Sequence, residues 1–290
     1  MNTRVRALLA AASERLTEVS ETPQLDAEVL MAHLLGRDRS WLYAWPEHRL
    51  DEAQLVGFAK LVDARAGGRP IAHLTGRREF WSLPIAVNEH TLIPRPETEQ
   101  LVEIALSLEL RSHARVLDLG TGSGAIALAL ASQRPTWQIV AVDNSAAALD
   151  VARDNARRLG ATDIRFMHGD WLAALPGDEL FDLIVSNPPY IAASDPHLRL
   201  GDVRFEPASA LVAGVDGLTD LRRIIVDAPP FLRAGGWLWL EHGFAQGGAV
   251  GDLLRGRGFS DVQTRSDLAG QPRHSGGRWQ GAASPQVARP

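Results

Sequence analysis

Ser186-Asn187-Pro188-Pro189-Tyr190 is the stretch of this chain whose residue types imply chemistry most directly. Two successive prolines remove two N–H donors and stiffen the backbone. What remains are two fixed acceptors, the side-chain oxygen of Asn187 and the carbonyl of Pro188. A planar –NH2 group presented there donates one hydrogen to each. With both hydrogens held, the weak lone pair of the nitrogen can be aimed at an electrophile. An amide or aromatic amine is a poor nucleophile because its lone pair is delocalised, so orientation and polarisation are what a protein can add. Tyr190 supplies a face against which a planar group can lie. The bland alternative is an ordinary proline-rich turn.

A second motif stands upstream. Asp118-Leu119-Gly120-Thr121-Gly122-Ser123-Gly124 falls between an expected strand and an expected helix, where open α/β sheets bind ligands. Glycines there let the backbone approach a bound molecule without a Cβ in the way. Gly120, Gly122 and Ala125 also fit the loose dinucleotide pattern, so the loop alone leaves the cofactor open. Asp143 ends the next expected strand. A carboxylate there accepts both hydroxyls of a ribose, which NAD and S-adenosylmethionine share. Its competing role, capping the following helix, falls better to Ser145. The –NH2 device decides between the cofactors. Hydride transfer has no use for it, whereas a sulfonium methyl is an electrophile it can serve.

The elements that must position these motifs are legible in outline. Residues 1–70 read as a small helical bundle: Thr22-Pro23 starts one helix, and Asp51 with Gln54 resembles a capping box for another. Leu55, Phe58 and Val62 form the apolar stripe of that second helix, and Gly67-Gly68-Arg69-Pro70 stops it. Residues 71–95 change character, and Phe80-Trp81 with Ile85 and Val87 suggests a hairpin linking two domains. The catalytic domain is expected over 96–281, beginning with a helix from Glu97 to Leu108. Strands are expected at 116–119, 138–142, 164–167, 181–185, 237–240 and 261–265, with helices at 125–131, 145–158, 218–233 and 246–257. Such alternation implies right-handed crossovers and a mostly parallel sheet covered on both faces. Pro272 weakens the local signal for pairing of the final strand, and 282–290 reads as a disordered tail.

Composition narrows the partners. The chain has 290 residues, with 30 basic against 35 acidic side chains and a net charge of -5. A nucleic-acid binder usually shows a basic excess, and none is present, so no direct nucleic-acid partner is expected. Forty-five per cent of residues are apolar, enough for a sizeable core. There is no cysteine, which excludes disulfides, Cys-ligated zinc and thiol nucleophiles and fits a cytoplasmic protein. No apolar run approaches the ~18 residues of a membrane span. The nine histidines show no ligand spacing, so no metal is expected, and a monomer is.

Together, the glycine loop and Asn-Pro-Pro-Tyr resemble those of class I S-adenosylmethionine-dependent amino-methyltransferases. Four further stretches narrow the resemblance: Pro70 to Gly76 (Pro-Ile-Ala-His-Leu-Thr-Gly), Glu79-Phe80-Trp81, Leu92 to Glu99 (Leu-Ile-Pro-Arg-Pro-Glu-Thr-Glu), and Asp202 to Pro207 (Asp-Val-Arg-Phe-Glu-Pro). Over roughly residues 20–280 the chain resembles the peptide chain release factor glutamine methyltransferase family (PrmC, also called HemK). The resemblance implies a Rossmann-like α/β fold with a mostly parallel seven-stranded sheet and a small all-helical N-terminal domain that helps grip the substrate. It implies S-adenosyl-L-methionine as cofactor. The implied reaction is methylation of the side-chain nitrogen, N5, of the glutamine in the Gly-Gly-Gln motif of class I release factors. Gly120, Thr121, Gly122, Ser123 and Gly124 would hold the methionine part of the cofactor, Asp143 the ribose, and Trp171 would border the adenine. Asn187, Pro188, Pro189 and Tyr190 would hold the glutamine, with Asn187 also near the cofactor and with Asn187, Pro188 and Tyr190 serving catalysis. Arg95, Glu97 and Thr98 would line the same cleft, and His242 would be structural, since the amide proton can leave after methyl transfer without a strong base.

The chain departs from the family at Pro272 to Trp279, where an Arg-Val run is usual before a Gly-Arg and an aromatic residue. Two rival substrates share the –NH2 logic: a glutamine of a ribosomal protein, and the N6 of adenine in DNA. The N-terminal domain and linker favour the release factor over the first. The acidic balance and the lack of a base-recognition domain argue against the second. A cofactor-binding module without catalysis and a dehydrogenase are the readings from other classes, and the intact Asn-Pro-Pro-Tyr argues against both.

Overall fold

A computed structural model describes residues 3–281. The chain divides into two compact units, Met1–Arg77 with Pro196–Phe205, and Arg78–Asp195 with Glu206–Pro290. The expected tail from residue 282 lies outside the described residues.

The first unit is helical: α1 (Val5–Leu16), α2 (Pro23–Leu35), α3 (Arg39–Ala44), α4 (Glu52–Ala66) and α5 (Ile71–Thr75). Pro23 opens α2 as expected, although the Thr22 side chain makes no capping bond. At α4 the capping box is complete, with the Asp51 side chain accepting from the Gln54 N–H and the Gln54 side chain accepting from the Asp51 N–H. Leu16, Leu30, Met31, Leu42, Phe58 and Val62 form its apolar core. Arg65 is also buried. Its guanidinium donates to Asp26 at 2.7 Å and to Asp202 at 2.8 Å. Asp202 belongs to the second chain segment of the unit, so this cation joins α2, α4 and the 196–205 excursion.

The second unit takes in β1 (Arg77–Phe80) from Arg78 onward and β2 (Leu83–Ala86), a two-stranded sheet whose turn residues Trp81 and Ser82 both have positive φ, 54° and 59°. The hairpin therefore occupies 77–86, and the start of the 71–95 stretch is the short helix α5. There follow α6 (Pro96–Ser107), β3 (Arg115–Leu119), α7 (Ala125–Gln133), β4 (Gln138–Asp143), α8 (Ala146–Leu159), β5 (Arg165–His168), β6 (Phe181–Ser186), α9 (Thr219–Asp227), β7 (Leu232–Glu241), α10 (Gly247–Arg257), β8 (Ser260–Ser266) and β9 (Pro272–Arg278). The seven-stranded sheet has the order β5-β4-β3-β6-β7-β9-β8. Its first five strands are parallel, and β9 runs antiparallel to both β7 and β8. Buried Leu117, Val140, Ile184 and Leu238 on the strands pack with Leu221, Ile224 and Leu254 of the helices. No helix among the described residues is long and apolar enough to cross a membrane.

One expectation needs correction, and one uncertain pairing forms. The helix expected over 218–233 ends at Asp227, because Pro229 and Pro230 supply no N–H to continue it. The segment from Pro272 does pair, as β9, on both of its edges. Pro272 occupies the first position of the strand, where its missing N–H interrupts nothing. Gly276 then lets the strand pass under Trp239, where a Cβ would stand only 2.2 Å from the indole.

Chain order reverses between β3 and β6. From β3 the chain builds β4 and β5 on one side, then returns to place β6 on the other. Such a switch point opens a crevice at the carboxyl ends of the strands, and ligands of open α/β sheets bind there.

Candidate active site

Strand register brings the two motifs together. Leu119 pairs with Ser186 across β3 and β6, and with Val142 across β3 and β4. The residues that follow each strand, Gly120, Asn187 and Asp143, therefore emerge side by side. Asp143 pairs with His168 at the end of β5, which brings in Gly169 to Trp171, and Ser186 pairs with Leu240, which brings in Glu241. The five parallel strands all deliver their C-terminal residues to one edge. An open cleft lies there, lined by Gly120, Gly122, Asp143, Trp171, Asn187 and Pro189 among others.

The glycine loop bends by left-handed backbone. Gly120, Gly122 and Gly124 have φ of 69°, 55° and 83°, a region that side chains with a Cβ rarely adopt. At Gly120 a Cβ would also stand 3.1 Å from the ring of Trp171. The N–H groups of Gly120 and Thr121 both donate to the Val142 carbonyl, folding the loop back onto β4. Thr121, Ser123 and Gly124 shape the loop from within. Thr121 donates to Asp118 at 2.6 Å, the Ser123 carbonyl accepts from Asn155, and Gly124 caps α7.

Three carboxamide and carboxylate groups support this arrangement. Asn155, wholly buried on α8, also exchanges two hydrogen bonds with the backbone of Ala86. Asp143 accepts from the Gly122 N–H through one oxygen and the Ser145 N–H through the other, each at 2.8 Å. A carboxylate offers about four acceptor positions, so room remains for two hydroxyls. Burial raises the Asp143 pKa, and the backbone N–H groups oppose that shift. Asp118 is fully buried, with one oxygen unpartnered among the described residues. Desolvation raises its pKa to about 7, opposed by the bonds from Thr121 and Ala127.

Behind the Asn187–Tyr190 loop lies a chain of hydrogen bonds. Asn187 Nδ2 donates to Thr98 Oγ1 at 3.0 Å, and Thr98 Oγ1 donates to Glu241 Oε2 at 2.7 Å. Tyr190 donates its hydroxyl hydrogen to the other Glu241 oxygen at 3.2 Å. Burial, with the Glu241 charge beside it, pushes the Tyr190 phenol well above its ordinary pKa, so it stays a donor. The Tyr190 carbonyl accepts from Gln246 Nε2, whose Oε1 in turn accepts from the Gly243 N–H. The loop is thus held at its backbone and at both terminal side chains.

The remaining expected residues fall as follows. Arg95 pairs with buried Glu206 at 2.5 Å, and Glu206 also accepts from the Ile93 N–H, which ties the Leu92–Pro96 turn to the Glu206-Pro207 segment. Thr98 stands in the first turn of α6, and Glu97 beside it is exposed. The Trp171 ring flanks the cleft, and its indole N–H donates to Asp220 at 3.2 Å. His242 is buried, with Nδ1 on the Gly243 carbonyl and Nε2 on the Ser275 hydroxyl. Burial lowers its pKa, and both ring nitrogens are hydrogen-bonded. Sequence reasoning missed Asp118, Asn155, Glu206, Glu241 and Gln246. Of these, Asp118 and Glu206 stood inside stretches already singled out, and Glu241 directly precedes His242.

Comparison with known proteins places this geometry. Residues 7–76 match the family model described as PrmC N-terminal domain, and residues 98–214 match the methyltransferase small domain. A release factor glutamine methyltransferase of Xylella fastidiosa is 54% identical over 276 residues, covering 95% of this chain and 98% of the relative. One of Vibrio cholerae is 48% identical over 280 residues, covering 96% and 98%. A methyltransferase structure from Pyrococcus furiosus superposes with a TM-score of 0.52 at 20% identity, covering 69% of this chain and 90% of that one, which shows the shared fold. The sheet is accordingly that of a class I methyltransferase, and on relatives that match it nearly end to end this chain belongs to the release factor glutamine methyltransferase family.

Proposed function

We propose that this protein transfers a methyl group from S-adenosyl-L-methionine to N5 of the glutamine in the Gly-Gly-Gln motif of class I release factors. The observation that carries the reading is Asn187. Its Nδ2 is committed to Thr98, so Oδ1 is the atom left to accept from a substrate amide, directly beside the glycine loop. The near end-to-end similarity to release factor glutamine methyltransferases supports the choice of amide.

The residues suit the cofactor. Left-handed glycines leave backbone at the cleft wall, and a Cβ at Gly120 would fill the space against Trp171. Asp143 keeps acceptor capacity for ribose hydroxyls, and Trp171 offers a ring for a planar base. When bound, S-adenosylmethionine supplies an electrophilic methyl on a cationic sulfur. Asn187 Oδ1 and the Pro188 carbonyl each take one hydrogen of the glutamine –NH2. That fixes the plane of the amide and leaves its lone pair as the only way forward. The same two dipoles favour the positive charge that grows on nitrogen as the N–C bond forms. The proton then leaves the methylated nitrogen for water, consistent with a His242 whose nitrogens are both engaged. The match of residues 7–76 to the PrmC N-terminal domain supports a role for the helical unit in holding the release factor.

The test is mass spectrometry of a purified class I release factor after incubation with this protein and S-adenosylmethionine. The expected result is one added methyl on the Gly-Gly-Gln glutamine. Methylation of a ribosomal protein or of DNA in parallel reactions, with none on the release factor, would overturn the substrate assignment.

A further inference from the structure

Asn and Gln side chains present nitrogen and oxygen in nearly the same shape. A site that needs the Asn187 oxygen forward must therefore keep the amide from turning over. The loop itself provides no such control, because the prolines at 188 and 189 carry no N–H.

We infer that Glu241, acting through Thr98, is the positioning residue that fixes the Asn187 amide with its oxygen toward the substrate. This rests on the reading of Asn187 given above. A threonine hydroxyl has one proton. Thr98 gives that proton to the Glu241 carboxylate at 2.7 Å. Toward Asn187, 3.0 Å away, the same oxygen can then only accept, so the Asn187 nitrogen must face it. An ionised carboxylate is an acceptor only, and that property sets the direction of every bond in the chain. Reversing the amide would set the Asn187 oxygen against an oxygen with no proton to offer.

The other Glu241 oxygen takes the Tyr190 hydroxyl, so one carboxylate orients the first and last residues of the Asn187–Tyr190 loop. Thr98 is 4% exposed and Glu241 1% exposed, which keeps water from replacing either partner. His274 Nε2 stands 3.5 Å from the same carboxylate, and His274 Nδ1 faces Gln100 Oε1 at 3.1 Å. Gln100 gives its own N–H to the Ser266 carbonyl, so its oxygen is the acceptor and Nδ1 the donor. His274 is thus itself held in place through Nδ1.

The experiment compares Thr98→Val, which keeps the shape and removes the hydroxyl, with Thr98→Ser, which restores it. Methyl transfer to a class I release factor, cofactor affinity, melting temperature and the hydrogen exchange of the Asn187 side-chain amide by 15N NMR are read on each. Thr98→Val is expected to lower kcat by about tenfold to a hundredfold, the scale of a misoriented reacting group. Cofactor affinity should stay within about threefold, and exchange at the Asn187 amide should quicken. Thr98→Ser should return both kcat and exchange to near wild-type values. Glu241→Gln combined with Thr98→Val should cost no more than the worse single variant, because both break one chain of bonds. Unchanged kcat and exchange in Thr98→Val would overturn the inference. So would a Ser variant as impaired as the Val variant. The exchange measurement needs no turnover, so a wild-type protein inactive on release factors would refute the substrate reading while the relay was still judged on the amide.

Discussion

Ser186 donates its hydroxyl hydrogen to the Leu119 carbonyl at 2.7 Å, binding the last residue of β6 to the last residue of β3. The two residues are also register partners in the sheet. One buried bond therefore fixes the spacing between the loop that begins at Gly120 and the loop that begins at Asn187. In the proposed reaction the methyl donor and its acceptor meet between these two loops, whose separation the sheet sets.

Asn187→Ala separates orientation from binding. The variant loses the oxygen proposed to face the substrate amide while the glycine loop and Asp143 stay intact. Turnover should fall below detection, with cofactor affinity kept within about tenfold, as read by calorimetry beside a methyl-transfer assay. Retained turnover would remove Asn187 from its orienting role.

Asp143→Ala should show the opposite pattern. It removes the acceptors proposed for the ribose and the partner of the Gly122 N–H at 2.8 Å. The dissociation constant for S-adenosylmethionine is expected to rise by about tenfold to a hundredfold, the scale of one or two lost bonds to a charged group. An unchanged constant would refute the contact.

Asp118 makes stability depend on pH. Its pKa in the fold is about 7, against an ordinary 3.8, because burial disfavours the carboxylate. The folded state therefore holds the proton more tightly than the unfolded chain does. The stability contributed is fully present below about pH 4 and is lost as pH rises through 7. At about 1.4 kcal/mol per pKa unit, the loss is on the order of a few kcal/mol. Urea melts of the wild type and Asp118→Asn at several pH values should therefore diverge, the wild type losing stability relative to the variant between pH 4 and 7. Parallel curves would rule the carboxyl out.

Arg65→Met tests the helical unit. Arg65 and Asp26 are both buried, so removing the cation strands a carboxylate and should cost about 3–5 kcal/mol in denaturant unfolding. Asp202 is 43% exposed at its side chain, and Asp202→Asn should cost about 1 kcal/mol or less. Equal costs for the two variants would contradict this account of the cluster.

The local signals in the sequence were sufficient for the parts built from neighbouring residues. Asp51 and Gln54 lie three positions apart, and their capping box formed as expected. The glycines of the 120–124 loop all adopt left-handed backbone, and the strand–helix alternation became a mostly parallel sheet with its motifs at one edge. Backbone freedom, hydrophobic period and the rigidity of Pro188-Pro189 are properties of short stretches, and they are readable wherever those stretches occur.

Tertiary structure alone decided which groups stand behind those motifs. Thr98 is 89 positions from Asn187 and 143 from Glu241, and nothing in their spacing along the chain announces that one hydroxyl joins them. Asn155 reaches Ala86 across 69 positions, and Asp202 reaches Arg65 across 137. Even β9 paired against the local signal of its proline, because Gly276 could pass where Trp239 left no room for a side chain. Hydrogen bonds act over about 3 Å. Such contacts exist only after strand register and helix packing have fixed the positions of distant residues, whereas the chemistry of Asn-Pro-Pro-Tyr is already present in four consecutive ones.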